Sequence, residues 1–173
     1  MASQTKVSEL PILIRKPADM QEHELDKFEK LVVTGGEIDP DDLRSRILNA
    51  DYLAYVLDND QIVATGAIKN PTERHKSDIV RSSKIDLSSY KKELGYISVK
   101  PSHRKQHLAS RITKELLHMV AGPIFATSRV DNVPIHQVLS KYGFTIQGNV
   151  WFRQTRDPSR KGIKLCLWMR PNP

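Results

Sequence analysis

The chain has a single cysteine, Cys166, among 173 residues. Intramolecular disulfides are therefore excluded, as are zinc sites built on several cysteines. No apolar run approaches the ~20 residues that a helix needs to cross a bilayer. Met1 to Glu9 lacks the apolar stretch of a secretory signal. Aromatic residues, 6% of the chain, do not interleave with the basic ones as a single-strand nucleic-acid platform requires. The ten prolines and eight glycines are scattered, so no segment is low-complexity. These absences point to a cytoplasmic protein that does not enter a membrane.

What is present is ordinary for a globular domain: 39% hydrophobic and 27% charged residues. The length predicts one domain over residues 1–173 with a core of its own. Charge is unevenly placed. Residues 1–60 hold 7 Lys/Arg against 13 Asp/Glu, and residues 61–173 hold 20 against 7. A polyanionic ligand such as coenzyme A would use the basic part, and so would RNA or DNA. Charge alone does not choose between them, but no recognised nucleic-acid motif is present.

The chain is organised around residues 93–111, ELGYISVKPSHRKQHLASR. The pattern predicts a buried strand over Glu93 to Lys100, a basic elbow, and a long amphipathic helix over Leu108 to Val120. On that helix Leu108, Ile112, Leu116 and Met119 share one face. N–H groups without partners at a helix start, together with the helix dipole, make an anion site. His103, Arg104, Lys105, His107 and Arg111 surround this one.

Leu10 to Arg15 reads as a first strand, ended by Pro17. A helix follows over about Ala18 to Val33, stopped by Gly35 and Gly36. The next helix is predicted with Asp39 as N-cap and Pro40 at its first position, ending near Asn49. Tyr52 to Leu57 and Gln61 to Lys69 form a hairpin around Asp58-Asn59-Asp60. Residues 70–91 read as a long polar loop with at most a helical turn, bordering a substrate site or simply a surface insertion. Ile124 to Ser128 is a strand. Asp131 or Asn132 caps a helix that Gly143 ends, and Phe144 to Arg153 and Ile163 to Met169 are the last strands, joined by a basic turn holding Pro158 and Gly162. The strand-helix-strand over 93–128 requires a right-handed parallel crossover. The fold class is α/β (α+β), with a mixed sheet and helices on both faces, and ligands are expected beyond the carboxyl ends of the parallel strands.

Val99-Lys100-Pro101-Ser102-His103 followed by Arg104-Lys105-Gln106-His107-Leu108-Ala109 resembles the signature of the GNAT superfamily of acetyl-CoA-dependent N-acetyltransferases. That signature is a strand ending in Val-x-Pro, then Arg/Gln-x-x-Gly-x-Gly/Ala opening a helix. Asn132 and the pair Gly143-Phe144 fall where the family has an Asn and a Gly-Phe. The resemblance covers roughly residues 93–148, and the element order fits over the whole chain. It implies a mostly antiparallel sheet of about seven strands with a central parallel pair, splayed to admit the cofactor. It also implies that backbone groups of Ile97, Ser98 and Val99 pair with the pantetheine arm of acetyl-CoA. Amides of Arg104, Lys105, Gln106, His107, Leu108, Ala109 and Ser110 would hold the pyrophosphate, and Asn132 would contact the pantetheine or its surroundings. Two positions depart from the pattern. His107 replaces the first glycine of the phosphate loop, where glycine allows close backbone approach. Leu139 replaces the tyrosine that serves many members as general acid, with Tyr142 about one helical turn further on.

Acetyl transfer needs a deprotonated amine, a polarised thioester carbonyl and a protonated leaving thiolate. Glu93, six residues before Val99, stands where a subset of the family has a glutamate base. Strand alternation nominally puts Glu93, Gly95, Ile97 and Val99 on one face unless a bulge intervenes. The plain alternative is an exposed glutamate balancing Lys91 and Lys92. Tyr142 is the candidate general acid, against a core role. The six histidines show no metal spacing, and no metal is expected; His103 and His107 read as solvated phosphate-facing residues without a carboxylate partner. His136 reads as a surface residue and Cys166 as a buried inert thiol. Trp151 and Phe152 either line the acceptor pocket or pack at an edge. No Gly-x-Ser-x-Gly motif supports Ser-His-Asp catalysis.

The leading expectation is an N-acetyltransferase for a small-molecule, amino-acid or protein amine, working as a monomer or homodimer. The alternatives are a catalytically silent acyl-CoA-binding regulatory domain, a transferase for another acyl-CoA, and a nucleic-acid binder.

Overall fold

Seven strands and five α-helices account for most of residues 10–35, 38, 40–153 and 162–172, which the computed structural model describes. The strands form one sheet in the order β1 (Ile12–Arg15), β2 (Tyr52–Asp58), β3 (Gln61–Lys69), β4 (Lys92–Val99), β5 (Ile124–Arg129), β7 (Ile163–Arg170), β6 (Thr145–Arg153). Neighbours are antiparallel in β1–β2, β2–β3, β5–β7 and β6–β7. β4 and β5 run parallel, paired at Lys92↔Ile124 and Glu93↔Phe125. The mixed, mostly antiparallel seven-stranded sheet read from the sequence is the one found. Among the described residues no helix is long and apolar enough to cross a membrane. The chain divides into two compact units, residues 10–69 with 94–119, and residues 70–93 with 120–172.

In the first unit, β2 and β3 are joined by the expected tight turn. Asn59 (φ 47°) and Asp60 (φ 59°) are both left-handed, as a two-residue hairpin of this twist demands. Helix α1 (Glu22–Thr34) starts at a capping box, in which the Gln21 side chain and Glu24 satisfy each other's backbone amides. Its inner face, Leu25, Phe28, Leu31 and Val32, packs with Leu43 and Ile47 of α2 (Leu43–Leu48) onto Leu53, Tyr55, Ala67 and Tyr96. Asp39, Gly36, Pro158 and Met1 to Glu9 lie outside the described residues. Pro40 is not the first helical residue. α2 begins three residues later, at Leu43, with Asp42 in a left-handed conformation (φ 56°) at the N-cap position.

Helix α4 (Leu108–His118) covers the other face of β3. Ala67 points to the α1 cluster, whereas a Cβ on its neighbour Gly66 would lie 2.5 Å from Ile112 Cγ2 and 2.8 Å from Ile97 Cδ1. Glycine is needed there for close approach, and it fixes the distance of α4 from the sheet. Met119 is not on the inner face: it caps the helix end, exposed.

The nominal alternation along β4 breaks at Gly95 and Tyr96. A Cβ on Gly95 would meet the Lys69 side chain at 2.6 Å, and the Lys69 ammonium also lies 4.9 Å from the Tyr96 ring centroid. Two consecutive residues thus face the same way, and Tyr96 takes φ 54°. This is a bulge. Ile97, beyond it, turns to α4 and Ser98 to α1, where its hydroxyl donates to the Leu31 carbonyl at 3.2 Å. Gly95 and Ile97 therefore do not share a face.

In the second unit, residues 70–91 contain a helix that the sequence reading treated as loop. α3 spans Glu73–Ser83, with Thr72 accepting from the His75 amide at 3.2 Å as N-cap and Lys84 left-handed (φ 64°) as C-cap. Ile79 and Val80 pack with Leu87, Phe125 and Leu167. Only two apolar residues mark this helix, and that faint periodicity hid it. Gly148 (φ 71°) lets β6 cross Ser83 and Ile85, where any Cβ would clash at 2.4–2.5 Å. Asn132, not Asp131, caps α5 (Val133–Lys141) by accepting from the Ile135 amide at 3.3 Å, and Gly143 (φ 81°) ends it.

Candidate functional site

Behind β4 the first unit carries the basic elbow. A 3-10 turn, Pro101–His103, follows the strand, and left-handed residues at Lys105 (φ 62°) and His107 (φ 60°) reverse the chain into α4. His107 is the N-cap. It adopts a left-handed conformation that glycine takes more readily than any other residue. Arg104, Lys105 and His107 are exposed at this helix mouth. Arg104 Nε donates to the Val99 carbonyl at 3.3 Å, and Gln106 Nε2 to the Ser102 carbonyl at 3.4 Å. Arg111 instead donates to the Leu10 carbonyl at 2.9 Å. The first amides of any helix lack partners within it, and the dipole adds positive potential. With three cationic or ionisable side chains beside them, these groups fit a diphosphate.

The elbow is held from the hairpin turn. His103 Nε2 lies 2.9 Å from Asp58 Oδ2, and the Ser102 hydroxyl 2.8 Å from His103 Nδ1. His103 thus has a carboxylate partner and is largely covered, contrary to the solvated reading. Lys100 Nζ donates to Gln61 Oε1, and the Lys100 amide donates to the Val63 carbonyl at 2.8 Å. Asp58 sits 45 residues before His103, a separation at which sequence spacing carries no signal.

The candidate catalytic groups lie in the second unit. Glu93 is buried, not the exposed glutamate of the plain reading, and its Oε2 lies 3.1 Å from His75 Nε2 on α3. His75 was missed because its helix was missed. The legible signal was Thr72 followed by Glu73, a cap and an acidic first turn. Tyr142 is half-buried at the C-cap of α5, with the Lys141 ammonium 5.4 Å from its ring centroid. Leu139 is a fully buried core residue.

The remaining candidates take structural places. His136 is not a surface group: its Nε2 lies 2.9 Å from the Arg129 carbonyl and 3.1 Å from Ser128 Oγ, and its ring is 4.9 Å from Trp168. Donation to a carbonyl fixes the proton on Nε2, so His136 is no base for Ser128. Cys166 is buried, 3.5 Å from Ser128 Oγ. Trp151 packs against the Phe125 cluster, while Phe152 is 70% exposed. Among the described residues no group of three or more His, Cys, Asp or Glu is placed to hold a metal ion.

With this geometry in place, residues 18–144 match the model of the acetyltransferase (GNAT) family. No curated protein matches the chain by sequence. Solved structures resemble it along nearly their whole length. ElaA from Escherichia coli superposes with a TM-score of 0.65 at 13% identity, covering 93% of this chain and 99% of its own. An acyl-CoA N-acyltransferase from Pseudomonas aeruginosa gives 0.65 at 16% identity, with the same coverages. The ribosomal-protein-S18-alanine N-acetyltransferase from Escherichia coli gives 0.61 at 13% identity, covering 94% of each chain. At such identities the likeness establishes the fold.

Proposed function

We propose, from the premise that this chain belongs to the acetyltransferase (GNAT) family, that it moves an acetyl group from acetyl-CoA to a primary amine by direct transfer. The observation that carries this is the mouth of α4, where a left-handed His107 and exposed Arg104 and Lys105 stand directly behind β4. Acetyl-CoA supplies the activated thioester. Backbone groups of Ile97, Ser98 and Val99 would align the pantetheine arm, and amides from Arg104 to Ser110 would bind the pyrophosphate. Asn132, at the start of α5, would contact the same arm. Glu93 would take the amine's proton, and Tyr142 is the candidate donor to the departing sulfur. What supports Glu93 is its place on β4, six residues before Val99, with His75 Nε2 3.1 Å from its carboxylate. The acceptor is a small molecule, an amino acid or a protein amine.

A second reading, an acyl-CoA-binding domain without catalysis, is supported by one observation: Leu139 fills with core packing the position of the usual tyrosine. Thiol release from acetyl-CoA, measured across amino acids, polyamines, aminoglycosides and free peptide N-termini, separates the two. The transferase reading expects thiol release matched by acetylated amine. Binding of acetyl-CoA without release on any amine would replace it with the second reading. Under the first, Glu93→Gln lowers turnover and flattens its fall at low pH, since the protonation that disables the base is gone.

A further inference from the structure

We propose that Thr65 is a positioning residue for the cofactor: through the Tyr96 carbonyl it sets the direction of the Ile97 amide. The inference rests on the reading that Ile97, Ser98 and Val99 align the pantetheine arm. Thr65, on β3, is fully buried and pairs with Tyr55 on β2. Such partners share a face of the sheet, and Tyr55, like Tyr96, belongs to the apolar cluster packed with α1. A hydroxyl in those surroundings is costly unless it is bonded, and valine would fill nearly the same space without one. The Thr65 hydroxyl donates to the Tyr96 carbonyl at 2.8 Å.

Tyr96 is the bulge residue of β4, left-handed at φ 54°. An aromatic residue in that conformation is uncommon, and it persists where its surroundings over-determine it. Its φ fixes one backbone rotation. The other, ψ, turns the planar unit that joins Tyr96 to Ile97, and this unit carries both the Tyr96 carbonyl and the Ile97 N–H. Among the described residues no peptide bond is cis, so these two groups point in opposite directions. Holding the carbonyl at Thr65 therefore turns the Ile97 N–H away from Thr65. Ile97 is the first residue of the segment assigned to the arm. A donor fixed before the cofactor arrives binds more tightly than one that must be ordered on binding. Thr65 acts through Tyr96 and does not touch the cofactor.

The test titrates acetyl-CoA into isotope-labelled wild type, Thr65→Val and Thr65→Ser, with affinity read by calorimetry and backbone amide resonances followed alongside. Thr65→Val keeps the volume and drops the donor. It should bind acetyl-CoA about tenfold more weakly, the order of one lost hydrogen bond. Its Ile97 amide should no longer respond to the cofactor, while Gln106 to Ala109 respond as in wild type. Thr65→Ser keeps the hydroxyl and loses a buried methyl. It should lower Tm yet bind with wild-type affinity and the wild-type Ile97 response. A merely structural role would weaken binding in step with Tm in both variants. Wild-type affinity and Ile97 response in Thr65→Val overturn the inference, and so does a Thr65→Ser that binds as weakly as Thr65→Val. Should Thr65→Val not fold, Thr65→Cys takes its place with the same outcomes, because a thiol is a weak donor. A wild type that binds acetyl-CoA without a response at Ile97, Ser98 and Val99, or does not bind it, overturns the cofactor reading itself, and the inference falls with it.

Discussion

His107 and Arg104 show how much a single residue can be asked to decide. His107 holds a left-handed backbone at the point where the chain enters α4. That conformation costs a non-glycine residue roughly 1–2 kcal/mol. His107→Gly should therefore stabilise the protein by on the order of 1 kcal/mol, raising Tm by about 2–4 °C, after allowing for the freer unfolded chain. Acetyl-CoA affinity should hold or improve under the proposed function, which assigns the grip to backbone amides and not to the imidazole. A sharp loss of affinity in calorimetry would make the imidazole itself a ligand. Arg104→Ala removes a charge-assisted contact and should weaken acetyl-CoA binding about tenfold; unchanged affinity would count against the elbow. At this scale the sequence offered candidates for the cofactor through the family resemblance. Val99, Arg104 and Ala109 carry the spacing on which that resemblance rests. It told little for the chemistry, since the meeting of His75 with Glu93 depends on a helix whose own pattern is faint.

Among the elements, strands and amphipathic helices were legible where burial imposes a period. β2, β3, β4 and α4 fall within a residue or two of their expected bounds. α3 was not legible, because Ile79 and Val80 are its only apolar residues and the other buried positions, Lys76 and Ser83, are polar. The bulge at Gly95 and Tyr96 was not legible either, since it arises from how Lys69 and α1 pack on β4. One element-level junction makes a pH prediction. Tyr55 on β2 is fully buried and donates to Glu24 of α1 at 3.0 Å. Burial first, and then the hydrogen bond to the Glu24 carboxylate, pushes its hydroxyl up to about 12 from the usual 10.0. The neutral form is thus favoured in the folded state. Its contribution is complete below pH 10.0 and is lost as pH rises towards about 12. About 2–3 kcal/mol of stability should disappear over that window in urea titrations. Tyr55→Phe should lose that part of the alkaline dependence, and an identical pH profile would show that the α1–β2 junction does not work this way.

For the molecule as a whole, the family and the mixed, mostly antiparallel sheet follow from the chain's register of motifs and from its element sequence, whereas the place of β7 between β5 and β6 was not anticipated. The partner amine does not, because it would be read by side chains for which no spacing rule exists. The skew of charge towards residues 61–173 gives the basic end of β4 a field suited to a polyanion. The account stands on a diphosphate held at the start of α4. The most direct measurement follows backbone amide resonances of isotope-labelled protein as acetyl-CoA is added. The largest shifts should fall on Gln106, His107, Leu108 and Ala109, with a second group at Ile97, Ser98 and Val99. Shifts that gather elsewhere, or none at saturating acetyl-CoA, would contradict it.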